Sequence, residues 1–155
     1  SIDRAVLLAS DSAALERWET WAQLRTDLDG TGAAITLAVD RLLQLVDESA
    51  EPLRKRQEQE LEALDELSER YGERGLGRSK LEIRHKRELR RLRTDELLMG
   101  MTAVGNAISE GITNGSIDAS SGSRSLVSLN AAANDLRRNG NERLQLQNLF
   151  INLKV

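Results

Sequence analysis

The chain has no cysteine, one proline, one histidine, and aromatic side chains at only 3% of its 155 positions. Without cysteine there is neither a disulfide framework nor a thiolate zinc site. A lone histidine has no second one to share a metal with, so no metal and no other cofactor is expected. Scarce aromatics remove the platforms on which unpaired bases are commonly stacked. No apolar run approaches the ~18–20 residues needed to cross a bilayer. The opening SIDRAVLLASD is apolar too briefly for a signal peptide and lacks a cleavage pattern. A cytoplasmic location is therefore the expectation, and the sequon-like Asn114-Gly115-Ser116 carries no weight.

Motifs for catalysis are missing too. The GLG at Gly75 to Gly77 has neither the glycine spacing nor the lysine-serine ending of a phosphate loop, and reads as a turn. Acidic residues are scattered, and no pair stands out from solvated helix surface. Trp18 and Trp21, three apart, suit packing anchors better than a ligand cage. No catalytic residue is expected.

What is present is helical. Leu, Ala, Glu and Arg dominate, and unbranched side chains lose little rotamer freedom in a helix. The length suits one domain that buries roughly two-thirds of its unfolded surface. Period-two alternation is missing, while spacings of three and four recur. The pattern predicts six helices. The first, Arg4 to Ala9, is short. A second is capped by Asp11 or Ser12 and runs to about Leu28, with Leu15, Trp18 and Leu24 on one side. Asp29 to Gly32 reads as a turn.

A third helix covers Ala33 to about Ser49, and Pro52 opens a fourth that ends at the glycine-rich GERGLG, 72–77. The longest is expected from Ser79 to about Gly111; its second half, LLMGMTAVGNAI, is apolar nearly all round, the mark of a segment covered on most sides. After the polar stretch 113–123, Leu126, Leu129, Ala133 and Leu136 form a stripe that Gly140 ends in a left-handed conformation. Asn141 caps a final helix with Leu146, Leu149, Phe150 and Leu153 on one face. The fold class is all-α: a helical bundle around the long 79–111 helix.

The most distinctive run is RHKRELRRLRTDEL, Arg84 to Leu97, with six arginines and lysines and the only histidine. On a helix, Lys80, Arg84, Arg87 and Arg91 share one edge, Lys86, Arg90 and Arg93 another, and Leu81, His85, Leu89 and Leu92 form an apolar seam. The segment before it, Asp47 to Glu73, holds ten acids against four bases. Net charge is −3, so any basic surface is local. Folding back at GERGLG as an antiparallel hairpin sets acids along bases, with Glu69 near Leu81 and Glu62 near Glu88. Two rivals compete with that hairpin. One is a nucleic-acid contact through Lys80, Arg84, Arg87 and Arg91; the other is a small helical enzyme using His85.

Three segments, in order, resemble the C-terminal part of the bacterial DNA polymerase III clamp-loader delta-prime subunit, especially its actinobacterial form. RHKRELRRLRTDEL is similar to that family's RH-x-RE-x-RR-x-RTDEL signature. RRNGNERLQLQNLFINL, Arg137 to Leu153, resembles the closing motif in which N-x-N precedes leucine-rich positions, although Glu142 stands where the family usually has proline. IDRAVLLASD, Ile2 to Asp11, resembles the segment that ends the small lid domain, with Asp3 in place of the usual glycine. The resemblance implies the tail of a lid domain over 1–10 and a collar-like oligomerisation domain over 11–155. It implies a non-catalytic role in loading the sliding clamp during DNA replication. The implied partners are the delta and gamma/tau clamp-loader subunits, met through their collar domains, with DNA reached only through the full complex. Leu98, Met99, Met101, Leu146, Leu149 and Phe150 are the candidate subunit-interface residues.

Overall fold

The computed structural model describes residues 11–72, 75, 77–138 and 140–153. The short helix expected over 4–9, and with it the lid tail over 1–10, lies outside the described residues. Among those residues the structure is all-α, a bundle of five helices with no strand: α1 Ser12–Asp27, α2 Gly32–Tyr71, α3 Arg78–Thr113, α4 Ala119–Arg137 and α5 Glu142–Asn152.

Side chains that start these helices do so by satisfying orphan backbone N–H groups. Asp11 accepts from the amides of Ala13 and Ala14, Thr31 from Ala34, Asp118 from Ser121, and Asn141 from Leu144. The hydrogen bonds from Ser121 hold the Asp118 carboxyl below its ordinary range. Between α2 and α3 the chain reverses through Gly72 and Gly77, both near φ +73, where a side chain would meet its own backbone.

Two expectations about helix ends need correction. The third and fourth helices are one: α2 runs 40 residues without a break and carries Pro52 inside it. It is also longer than α3, which spans 36 residues. Proline removes one i→i−4 hydrogen bond and crowds the preceding turn. Here packing on both sides outweighs that cost. Leu45, Val46 and Ala50 are buried just before the proline, Gln57 just after it, and Pro52 itself faces outward. Gly140 is the second correction. It is not left-handed; α4 ends at Arg137, and the Gly140 N–H donates to the Asp135 carbonyl at 3.1 Å.

The core joins α1, the first half of α2, the second half of α3, α4 and α5. Trp21, Leu42, Leu97, Ile108 and Leu146 are its largest fully buried side chains. The apolar stretch 98–108 thus lies where four helices meet, which is why it is greasy all round. Small residues set the closest approaches. Gly100 lies under the Trp21 ring, and Gly111 and Gly122 make room for Ile117 and Ile112. On α1, Ala14, Trp21 and Leu24 face inward, whereas Leu15 is exposed.

From Glu51 to Glu96 no described residue belongs to that core. There, the second half of α2 and the first half of α3 form a two-helix arm that extends past the bundle by roughly 28 Å, at 1.5 Å per residue. Its seam leucines are half-buried or more exposed, and its buried described side chains, Gln57, Ser68, His85 and Glu96, are all polar. Two helices cannot enclose a dry core, so the arm is held by a thin apolar seam and by paired polar groups.

Candidate functional site

Pairing within the arm starts from its opposite charges. Glu60 is the centre of one cluster: Arg84 donates to it at 3.0 Å, and His85 Nε2–H donates to the same carboxylate at 2.9 Å. Those bonds, His85 first, hold the Glu60 carboxyl below its ordinary value despite some desolvation. Gln57 then donates to the His85 carbonyl at 3.0 Å, so the buried histidine is packed and bonded on both main chain and ring. Arg56 pairs with Glu88 across the seam, and Arg78 pairs with Asp65 at 2.6 Å.

The hairpin is therefore real, but its register differs from the expected one. Arg56, not Glu62, lies beside Glu88, and Glu60 lies beside Arg84. A symmetric fold-back about Gly75 sets Glu62 against Glu88, like charge on like. Sliding by nearly two turns replaces that repulsion with opposite charges. The exposed pairs themselves contribute only ~0–1 kcal/mol each; their effect is to choose among registers with similar apolar contact.

A second cluster sits where the arm joins the bundle. Arg93 donates to Glu142 at 2.8 Å and also pairs with Asp47, so one guanidinium ties α2, α3 and α5 together. These bonds, Glu142 foremost, raise the Arg93 pKa further above its ordinary value. Arg17 reaches Glu96 at 2.5 Å and fixes α1 to α3, while Arg143 pairs with Asp40 at 2.7 Å. Arg93, Glu96 and Leu97 all lie in RTDEL, and Glu142 lies in NGNERL. The two quoted motifs therefore meet in space.

The candidate interface residues divide. Met101, Leu146, Leu149 and Phe150 lie in the core cluster, covered by neighbours in their own chain, because all four fall on the inner face of the bundle. Leu98 and Met99 are half-buried. Leu98 reaches the surface at a groove of about 380 Å³ between α3 and α4, together with Thr102, Gly105, Leu126 and Ala133. Pattern alone had no means to separate them, since a side chain facing a partner and one facing the next helix are equally apolar.

The candidate nucleic-acid stripe is split as well. Arg84 is engaged by Glu60 and Glu88. Lys80, Arg87 and Arg91 are exposed, and among the described residues none of them has an ion-pair partner. The same holds for Lys86 and Arg90. The acidic helix answers the inner cations of α3 and leaves the outer ones facing solvent.

Among the described residues no group of His, Asp and Glu is placed to hold a metal ion. No described helix is long and apolar enough to cross a membrane. The chain matches no protein-family profile, no curated protein and no solved structure.

Proposed function

We propose that the chain is a non-catalytic oligomerisation module of the clamp-loader collar kind, resembling the C-terminal region of the delta-prime subunit of DNA polymerase III. The observation that carries this reading is the contact between Arg93 and Glu142. RTDEL and NGNERL lie in two segments that resemble the family independently of one another. Arg93 joins them in one junction that also takes in Asp47, while Glu96 of the same run clasps Arg17. Glu142 itself departs from the family's usual proline, so what supports the reading is that the two segments are neighbours in space, not that both partners are matched residues. On this reading the motifs preserve the way the arm and the surrounding helices are set on the bundle.

In such a module, apolar helix faces buried between neighbours supply the association energy, at ~25 cal/mol per Å² before the cost of lost freedom. Leu98 and Met99 are half-buried, and the groove beside Leu98, lined by Leu126 and Ala133 but also by Asn106, Ser109 and Asn130, is a mixed polar and apolar recess for a neighbour's side chain. Charged rims select which neighbour docks.

Co-elution on size exclusion tests the reading. The chain is mixed with delta and gamma/tau clamp-loader subunits, with and without intact delta-prime as competitor. Joining the complex, or displacing delta-prime from it, is the expected outcome. If intact delta-prime joins and this chain neither joins nor competes, the collar reading fails.

A further inference from the structure

The outer cations of α3 are unexplained by oligomerisation through the bundle, because they lie on the arm and point away from its seam. With 3.6 residues per turn, Lys80, Arg87 and Arg91 fall within roughly 40° of one another, and Arg90 is next to them. His85 and Leu89, which face α2, lie on the opposite side. Glu82 is turned aside and held by Arg78; Glu88 borders the strip and is engaged by Arg56 and Arg84, and the exposed Asp95 lies one turn past its end. An exposed, uninterrupted cationic strip about 16 Å long is left, at 1.5 Å per residue from Lys80 to Arg91.

We propose that this outer face of α3 binds the phosphate backbone of a nucleic-acid duplex without reading its sequence. The alternative occupant, an acidic protein helix, fits less well. Protein interfaces concentrate their energy in apolar and aromatic anchors at a centre depleted of charge. The strip offers one apolar side chain, Ile83, at 52% exposure, and no aromatic residue. Exposed ion pairs alone give a protein partner little. A duplex needs no such anchor, since each phosphate neutralised releases condensed counterions. One charge per ~1.7 Å of duplex axis also supplies several phosphates along a strip of this length.

The arm's other side orients the contact. Glu58, Glu62, Glu66 and Glu69 are exposed on α2, and among the described residues none has an ion-pair partner. That surface repels a polyanion, so only the α3 face admits one. The net charge of −3 adds a general repulsion that makes the contact weak and strongly salt-dependent. Arg84, already held by Glu60, drops out of the expected stripe, and Arg90 enters it.

Fluorescence anisotropy of a labelled 20-base-pair duplex of random sequence, titrated with the whole chain, tests the proposal. Four phosphate contacts give a slope of about −3.6 in log affinity against log salt, hence roughly a 100-fold loss between 50 and 200 mM salt. Arg87→Glu with Arg91→Glu abolishes binding at 50 mM, with helicity and melting unchanged by circular dichroism; Arg87→Gln with Arg91→Gln weakens it at least tenfold. Glu62→Gln with Glu66→Gln leaves it intact or tightens it. No binding at 50 mM salt overturns the proposal. So does equal binding by the double charge-reversal variant, which moves the contact elsewhere on the chain, or equal or tighter binding of poly-L-glutamate, which points to an acidic polypeptide.

Discussion

The Trp21 indole lies across Gly100 so closely that a Cβ on that glycine falls 2.0 Å from Cε2 of the ring. Only a residue without a side chain allows α1 to seat its tryptophan on α3. This close approach sits one turn beyond Glu96, the residue clasped by Arg17.

Replacing Gly100 with alanine therefore forces the ring or the helix to move. Overpacking of this kind costs about 1–3 kcal/mol. Chemical denaturation of Gly100→Ala is expected to show that loss. Trp21→Ala removes the ring that collides, so the double variant loses less than the sum of the two single changes. Simple additivity means the two residues do not collide.

Arg93 is the tie between arm and bundle, and its replacement separates charge from geometry. Arg93→Ala strands Asp47 and Glu142 and lowers stability by about 1–2 kcal/mol, the lower part of the range for hydrogen bonds to charged groups because the site is partly exposed. Arg93→Lys keeps the charge and loses the planar fork that serves two carboxylates. Its midpoint of urea unfolding should fall between those of the wild type and Arg93→Ala. A lysine variant as stable as the wild type shows that the fork is irrelevant.

The clasp on Glu60 predicts a pH dependence. Its carboxyl is held below the ordinary value of 4.5 by His85 and then Arg84, so the folded state has the lower pKa. That contribution is fully present above about 4.5 and is lost as pH falls through the folded value. Glu60→Gln is accordingly less stable than the wild type near neutrality, and the difference closes on acidification. Thermal melts of both proteins across the acid range check this, and a gap that keeps its size at low pH rules it out.

Pro52 is carried inside α2 at a local cost. Pro52→Ala restores the amide that the Glu48 carbonyl lacks, against a smaller gain of freedom in the unfolded chain. The variant is expected to be more stable by about 1–3 kcal/mol. A drop in melting temperature shows that the proline's geometry is needed where the arm leaves the bundle.

Much of this architecture was legible beforehand. The spacing of Leu129 and Leu136 marked a buried face, and both are buried, while Leu146, Leu149 and Phe150, expected at a subunit interface, are turned into their own bundle instead. Asp11 and Asn141 stood where caps belong, and they cap. His85 was placed on the seam among leucines and is found there with a carboxylate partner. Periodicity and capping are local properties, so they survive translation into three dimensions. The site was less legible. The stripe Lys80, Arg84, Arg87 and Arg91 was a single edge in sequence, and nothing on α3 itself reveals which of those cations α2 covers.

The amino-acid order alone determined that the chain is helical, where most helices begin, and which face of each is apolar. A 1.5 Å rise and 3.6 residues per turn convert sequence directly into those faces. Only the tertiary structure decided that α2 runs through its proline, that Arg56 and not Glu62 meets Glu88, and that Met101 and Phe150 lie inside while Arg87 and Arg91 stay outside. Each of those outcomes depends on which helix lies alongside, at a separation in sequence over which local preferences no longer act.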